Sequence, residues 1–205
     1  NFVIDTTVLD TTAPTITIIS PTNNSYLTSA TVLANITANE NLSWAGYDID
    51  NGGISDLGNS SNTNWNKTLT LSEGQHNIIV YANDTSSNRN QRNSTSQFYI
   101  DLNSPQINSL NCGTNVNDSS NVNCSLSASD AVGLSYAIFS YNATGNWQNS
   151  SQISLTGTSS NANYTIGGGN TTPDAFNTTV YVYDLVGRVN ISSVIIAVTD
   201  DNAPS

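Results

Sequence analysis

The chain has 205 residues and carries fifteen Asp or Glu against one Lys, three Arg and one His, for a net charge of −11 with only 9% of residues charged. That balance argues against nucleic acid or an anionic membrane surface as a partner, and no apolar run approaches the roughly 20 residues of a membrane-spanning helix. Glu, Lys and Met, which favour helices, are nearly absent, so a helical domain is excluded and polarity resides in 32 Asn, 29 Ser and 25 Thr. No Met occurs, and Asn1 reads as a processed N-terminus from which any signal peptide has been removed.

Residues 1–12 form an arm ahead of the first domain. Asn1-Phe2-Val3-Ile4-Asp5 nearly copies Gln97-Phe98-Tyr99-Ile100-Asp101, and Phe2, Ile4 and Val8 share one face of an extended strand. An isolated apolar strand invites pairing. Three readings stay open: insertion into the sheet of a neighbouring subunit, pairing within its own chain, or the remnant of a preceding domain.

Beyond the arm the chain repeats with a period of about 90 to 100 residues. Val80-Tyr81-Ala82-Asn83-Asp84 matches Val180-Tyr181-Val182-Tyr183-Asp184, and the stretches ending at Glu40 and Asp130 correspond. Leu42-Ser43-Trp44-Ala45 matches Leu134-Ser135-Tyr136-Ala137. Short alternating runs rich in Val, Ile, Thr and Tyr, separated by Asn/Ser/Gly turns, predict strands at residues 15–19, 31–37, 44–49, 68–71, 77–82 and 97–101. The reading is all-β: two tandem Ig-like antiparallel β-sandwich domains at 13–103 and 104–205, preceded by the extended donor strand.

Along the first repeat, Trp44 is expected in the core. Asp48-x-Asp50-x-Gly52-Gly53 has the start of an EF-hand loop, but Gly52 and Asn59 stand at its fifth and twelfth positions, so a hairpin turn at Asn51-Gly52 is expected. Trp65 falls in an Asn-rich loop suited to glycan contact, Lys67 is a solvated lysine, and His76 is a solvated turn residue. In the second repeat Cys112 and Cys124 are expected to form one disulfide, Trp147 sits in another Asn-rich loop, and Gly167-Gly168-Gly169 is a turn without the Lys of a phosphate loop. The boundary acids Asp10, Asp101, Asp200 and Asp201 resemble cadherin linkers without the additional Glu ligands, so no metal and no cofactor is expected. The rival reading is a carbohydrate platform made by the tryptophans with Tyr47, Tyr141 and Tyr164.

Fifteen positions read Asn-x-Ser/Thr: Asn23, Asn35, Asn41, Asn59, Asn66, Asn83, Asn93, Asn117, Asn123, Asn142, Asn149, Asn163, Asn170, Asn177 and Asn190. Composition alone gives roughly eight, so covalent N-glycans on a secreted protein are expected.

The boundary Asp10-Thr11-Thr12-Ala13-Pro14-Thr15-Ile16 and the segment Val80-Tyr81-Ala82-Asn83-Asp84-Thr85-Ser86-Ser87-Asn88 resemble Ig-like repeats of archaeal and bacterial surface proteins. Taken whole, the chain is similar to the thread filament pilins of thermoacidophilic archaea. That resemblance implies a non-enzymatic, extracellular, glycosylated pilus subunit serving adhesion or biofilm. Its partners are identical subunits joined head to tail by donor-strand complementation, with Phe2, Val3, Ile4 and Val8 as donor residues and the second domain of a neighbour as acceptor. The alternative is an Ig-like module of a longer adhesin or surface-layer protein that does not polymerise.

Overall fold

The computed structural model describes residues 10–86, 89–113, 115–168 and 174–199. Every described regular element is a strand, and the chain divides into two compact units, Asn1–Ile100 and Asp101–Ser205. The donor-strand residues Phe2, Val3, Ile4 and Val8, the sequon Asn170 and the acids Asp200 and Asp201 lie outside the described residues.

The first unit comprises β1 (Ile16–Ser20), β2 (Ser25–Leu27), β3 (Thr31–Ala38), β4 (Leu42–Ile49), β5 (Ser55–Asp56), β6 (Gly58–Ser61), β7 (Asn64–Thr70), β8 (Gly74–Asp84) and β9 (Gln91–Ile100). They form two sheets, β1-β3-β7-β6 and β2-β9-β8-β4-β5, with β2 parallel to β9 and all other pairs antiparallel. The second unit comprises β10 (Gln106–Asn111), β11 (Asn115–Asn117), β12 (Val122–Ser129), β13 (Leu134–Tyr141), β14 (Gln148–Asn149), β15 (Ile153–Ser154), β16 (Ser159–Ile166), β17 (Ala175–Asp184) and β18 (Val189–Thr199). Its sheets are β10-β12-β16 and β11-β18-β17-β13-β14, with β15 also on β13 and β11 parallel to β18. In both units the first strand is divided between the two sheets, an Ig-like arrangement.

The period-2 pattern explains the cores. Along β8, His76, Ile78, Val80, Ala82 and Asp84 are buried while their neighbours face outward. Val32, Ala34 and Ile36 of β3 and Phe98 and Ile100 of β9 are buried with them. In the second unit Phe139, Phe176, Leu126, Val180 and Ile196 play the same part. Each buried Phe contributes about 1.5–3 kcal/mol of transfer free energy. Cys112 and Cys124 are bonded, both buried, and join the neighbouring strand positions beyond Asn111 and Ser125 in one sheet.

Four local expectations are corrected. A register irregularity between Leu42 and Trp44 turns Trp44 out of the core. Its ring lies over Gly46, where a Cβ would stand 2.5 Å from it, and its Nε1 donates to Asp56 Oδ1 at 2.8 Å. Trp65 instead lies on β7, only 8% exposed and inward-facing; its Asn neighbours are the outward alternates of a strand. His76 is buried: Nδ1 lies 2.6 Å from Asp50 Oδ2, Nε2 lies 2.9 Å from the Ser72 carbonyl, and the ring packs near Phe98. Asp50 Oδ1 also accepts from Asn77 N at 2.8 Å, and Asp48 Oδ1 from Gly53 N at 3.1 Å. The Asp48/Asp50 carboxylates thus brace a hairpin. Its central residues are Asp50 and Asn51, both at positive φ, one residue earlier than Asn51-Gly52.

Candidate assembly and glycan-bearing surface

The acceptor asparagines come to the surface by strand alternation and by turns. Of the fourteen described, none is buried. Asn35 of β3 and Asn66 of β7 are direct cross-strand partners, and Asn123 of β12 lies diagonally from Asn163 of β16 on the exposed face of its sheet. Their side chains differ in what they leave available, because N-linked sugar is carried on Nδ2. Asn23 and Asn142 spend the oxygen, accepting from Gln97 N at 2.9 Å and Asn177 N at 2.7 Å. Asn66 and Asn190 spend the nitrogen, donating to Ser60 Oγ at 3.0 Å and to the Pro105 carbonyl at 2.9 Å.

The outer face of the β18-β17-β13 sheet is apolar in a way the sequence reading missed. Val189, Ile191 and Ile195 of β18 are exposed, Ile195 to 68%. Register sets Val189 opposite Tyr183 and Ile191 opposite Tyr181, with Tyr136 and Ile138 next on β13. Tyr136 and Tyr183 stack at 4.5 Å, and Trp147 overhangs a groove of about 480 Å³ lined by Ile138, Ser140, Asn149, Tyr181 and Tyr183. The β9 positions matching Val189, Ile191 and Ile195 are Gln91, Asn93 and Gln97, so the apolar face belongs to the second unit. On β18 only Ala197–Thr199 pair with β11; among the described residues its outer edge over Val189–Ile196 has no strand partner. Isoleucines on a final strand read as core until the pairing shows which ones point outward.

The carbohydrate platform loses Trp65 to the core of the first unit. Tyr141 and Tyr164 share a hydroxyl contact of 3.3 Å, and Tyr164 stacks on buried Phe139. The hydrogen bond shared with Tyr141, then burial, then the Tyr141 charge push the Tyr164 phenol up to about 12. Trp65 is core, and Trp44 and Tyr47 belong to the first unit. Lys67 is exposed, and both His76 nitrogens are taken up by Asp50 and Ser72.

Of the boundary acids, Asp10 and Asp101 each join a cluster within one unit. Asp10 meets Glu40 and Asp84 in the first unit; Asp101 meets Asp130 and Asp184 in the second, at repeat-equivalent positions. Burial, then the Asp10 and Asp84 charges, raise Glu40. For Asp84 burial alone acts upward, but hydrogen bonds from Ser86 and Asn90 together outweigh it and hold the carboxyl below its ordinary range.

No protein-family model matches the chain, and no curated protein matches it. Solved structures that it is similar to include fibronectin(III)-like modules of CbhA from Clostridium thermocellum, at 16% identity and TM-score 0.40 over 93% of this chain and 97% of that one. Two Ig domains of DIP-gamma match at 8% identity and TM-score 0.45 over 92% and 98% of the two chains. A 1.5-MDa bacterial ice-binding adhesin matches at 13% identity and TM-score 0.42 over 93% and 67%.

Proposed function

We propose that the chain is the structural subunit of an extracellular, N-glycosylated surface filament that serves adhesion or biofilm cohesion. Polymerisation runs head to tail, with residues 1–9 of one subunit pairing with the second unit of the next. The supporting observation is β18, which combines exposed Ile191 and Ile195 with an outer edge that has no strand partner over Val189–Ile196 among the described residues. Backbone groups on such an edge accept a strand by β-augmentation, and an apolar arm carrying Phe2, Ile4 and Val8 matches it chemically. A contact of this kind is heterologous and does not close, so it propagates into a fibre. Because β9 and β18 already supply each unit with a last strand, the arm is added at an edge and fills no missing place. Acceptor asparagines spread over both sandwiches give the fibre a sugar coat. The sugar on Asn149 lies over the Trp147 groove, where an aromatic face suits a pyranose ring.

The second reading is a module of a longer cell-surface adhesin, favoured by those same complete sheets, which fold without a donor. Two changes separate them: deletion of residues 1–9, and Ile195→Asn. Under the filament reading each converts polymer into folded monomer in sedimentation; under the module reading the parent chain is already monomeric and neither change alters it.

A further inference from the structure

The three acids of the second unit form a more closed set than their counterparts in the first. Asp101 is 0% exposed, Asp184 2% and Asp130 8%, and one carboxylate oxygen from each lies within 4.8 Å of the other two. Like charges this close, removed from water, repel strongly unless a cation or protons offset them. The turns that follow β12 and β17 occupy one oxygen of each strand-end acid: Asp130 Oδ1 accepts from Val132 N and Gly133 N, and Asp184 Oδ1 from Val186 N and Arg188 N, all at 2.7–2.9 Å. Asp184 Oδ2 is then enclosed, with no hydrogen-bond partner among the described residues. Arg188 places its guanidinium beside the set, Nη2 lying 3.3 Å from the Asp101 carbonyl. The acids thus outnumber the guanidinium beside them.

The first unit provides an internal comparison. There Asn90 takes the place of Arg188, donating to the Asp10 carbonyl and to Asp84 Oδ2 at 2.8 Å. Both oxygens of Asp84 are satisfied, and Asp10 is exposed.

We propose that Asp101, Asp130 and Asp184 bind one hard divalent cation of the calcium class, with Asp184 Oδ2 as a ligand. An all-carboxylate set without His or Cys selects oxygen-seeking ions over zinc or copper, and a bound cation offsets the repulsion among the acids. The ion fastens the leading residue of the second unit to the ends of β12 and β17. This inference is independent of the filament reading.

The test is titration of the full chain with calcium after chelation, read by calorimetry and by terbium luminescence, alongside Tm with and without chelator. The parent is expected to bind an ion that raises Tm. Asp184→Asn is expected to lose that ion and its Tm response, whereas Asp84→Asn keeps both. Asp130→Asn retains an oxygen acceptor for Val132 N and Gly133 N, so it separates loss of a ligand from loss of the turn, and it too is expected to abolish binding. No ion bound by the parent, or binding unchanged in both Asp184→Asn and Asp130→Asn, overturns the proposal.

Discussion

Replacing both Cys112 and Cys124 with Ala is expected to loosen one unit and leave the other as it was. The bonded cysteines are 12 positions apart in sequence, and a closed loop of that size restricts the unfolded chain by about 3 kcal/mol in the chain-entropy model. Both sulfurs are buried, so losing their packing adds to this cost. Native-state hydrogen exchange read peptide by peptide resolves the effect. A loss of about 3 kcal/mol lowers protection roughly a hundredfold, since each 1.4 kcal/mol is tenfold. The fall should appear in β12, β16 and β17, while β3 and β8 of the first unit keep their protection. Because the chain has two cores, a single unfolding free energy would blur this result. A loss below about 1 kcal/mol in β12 would refute the loop-entropy argument, and an equal fall in β3 and β8 would refute the assignment of a separate core to each unit.

Trp65→Ala is expected to cost about 3–5 kcal/mol by calorimetry because it empties a core position; Trp147→Ala is expected to change stability by less than about 0.5 kcal/mol. Tyr164 is held at about 12, above the ordinary value of 10. The folded chain therefore keeps a proton that the unfolded chain releases between those values, so this contribution to stability is full below pH 10 and is lost as pH rises through 12. Tyrosinate absorbance should show one of the nine tyrosines titrating late, and Tyr141→Phe should bring it earlier. Glycopeptide mass spectrometry of the native protein should find sugar on Asn23, Asn123 and Asn163 and little on Asn190, whose Nδ2 is engaged by the Pro105 carbonyl; full occupancy of Asn190 would show that this hydrogen bond is not kept.

The strands were legible because alternation and turn residues are local properties. β8 alternates inward and outward along its whole length, and the match of residues 80–84 with 180–184 identified the repeat. What escaped depends on pairing. A single bulge after Leu42 turned Trp44 outward, since a one-residue slip moves a side chain to the opposite face, whereas Trp65 escaped because its Asn neighbours read as a loop and are the outward alternates of β7. His76 read as solvated because its partner Asp50 is 26 positions away. Ile191 and Ile195 look like core residues until β17 fixes their direction. The acids at Glu40, Asp84, Asp130 and Asp184 were visible as repeat equivalents, but their convergence with Asp10 and Asp101 follows from sheet topology.

The most direct test of the central claim is electron microscopy of the protein from its native surface, followed by the same chain lacking residues 1–9. The account expects thin, regular filaments with one chain per axial repeat, and folded single particles after the deletion. Single particles from both preparations, or filaments that survive the deletion, would contradict assembly through the N-terminal strand.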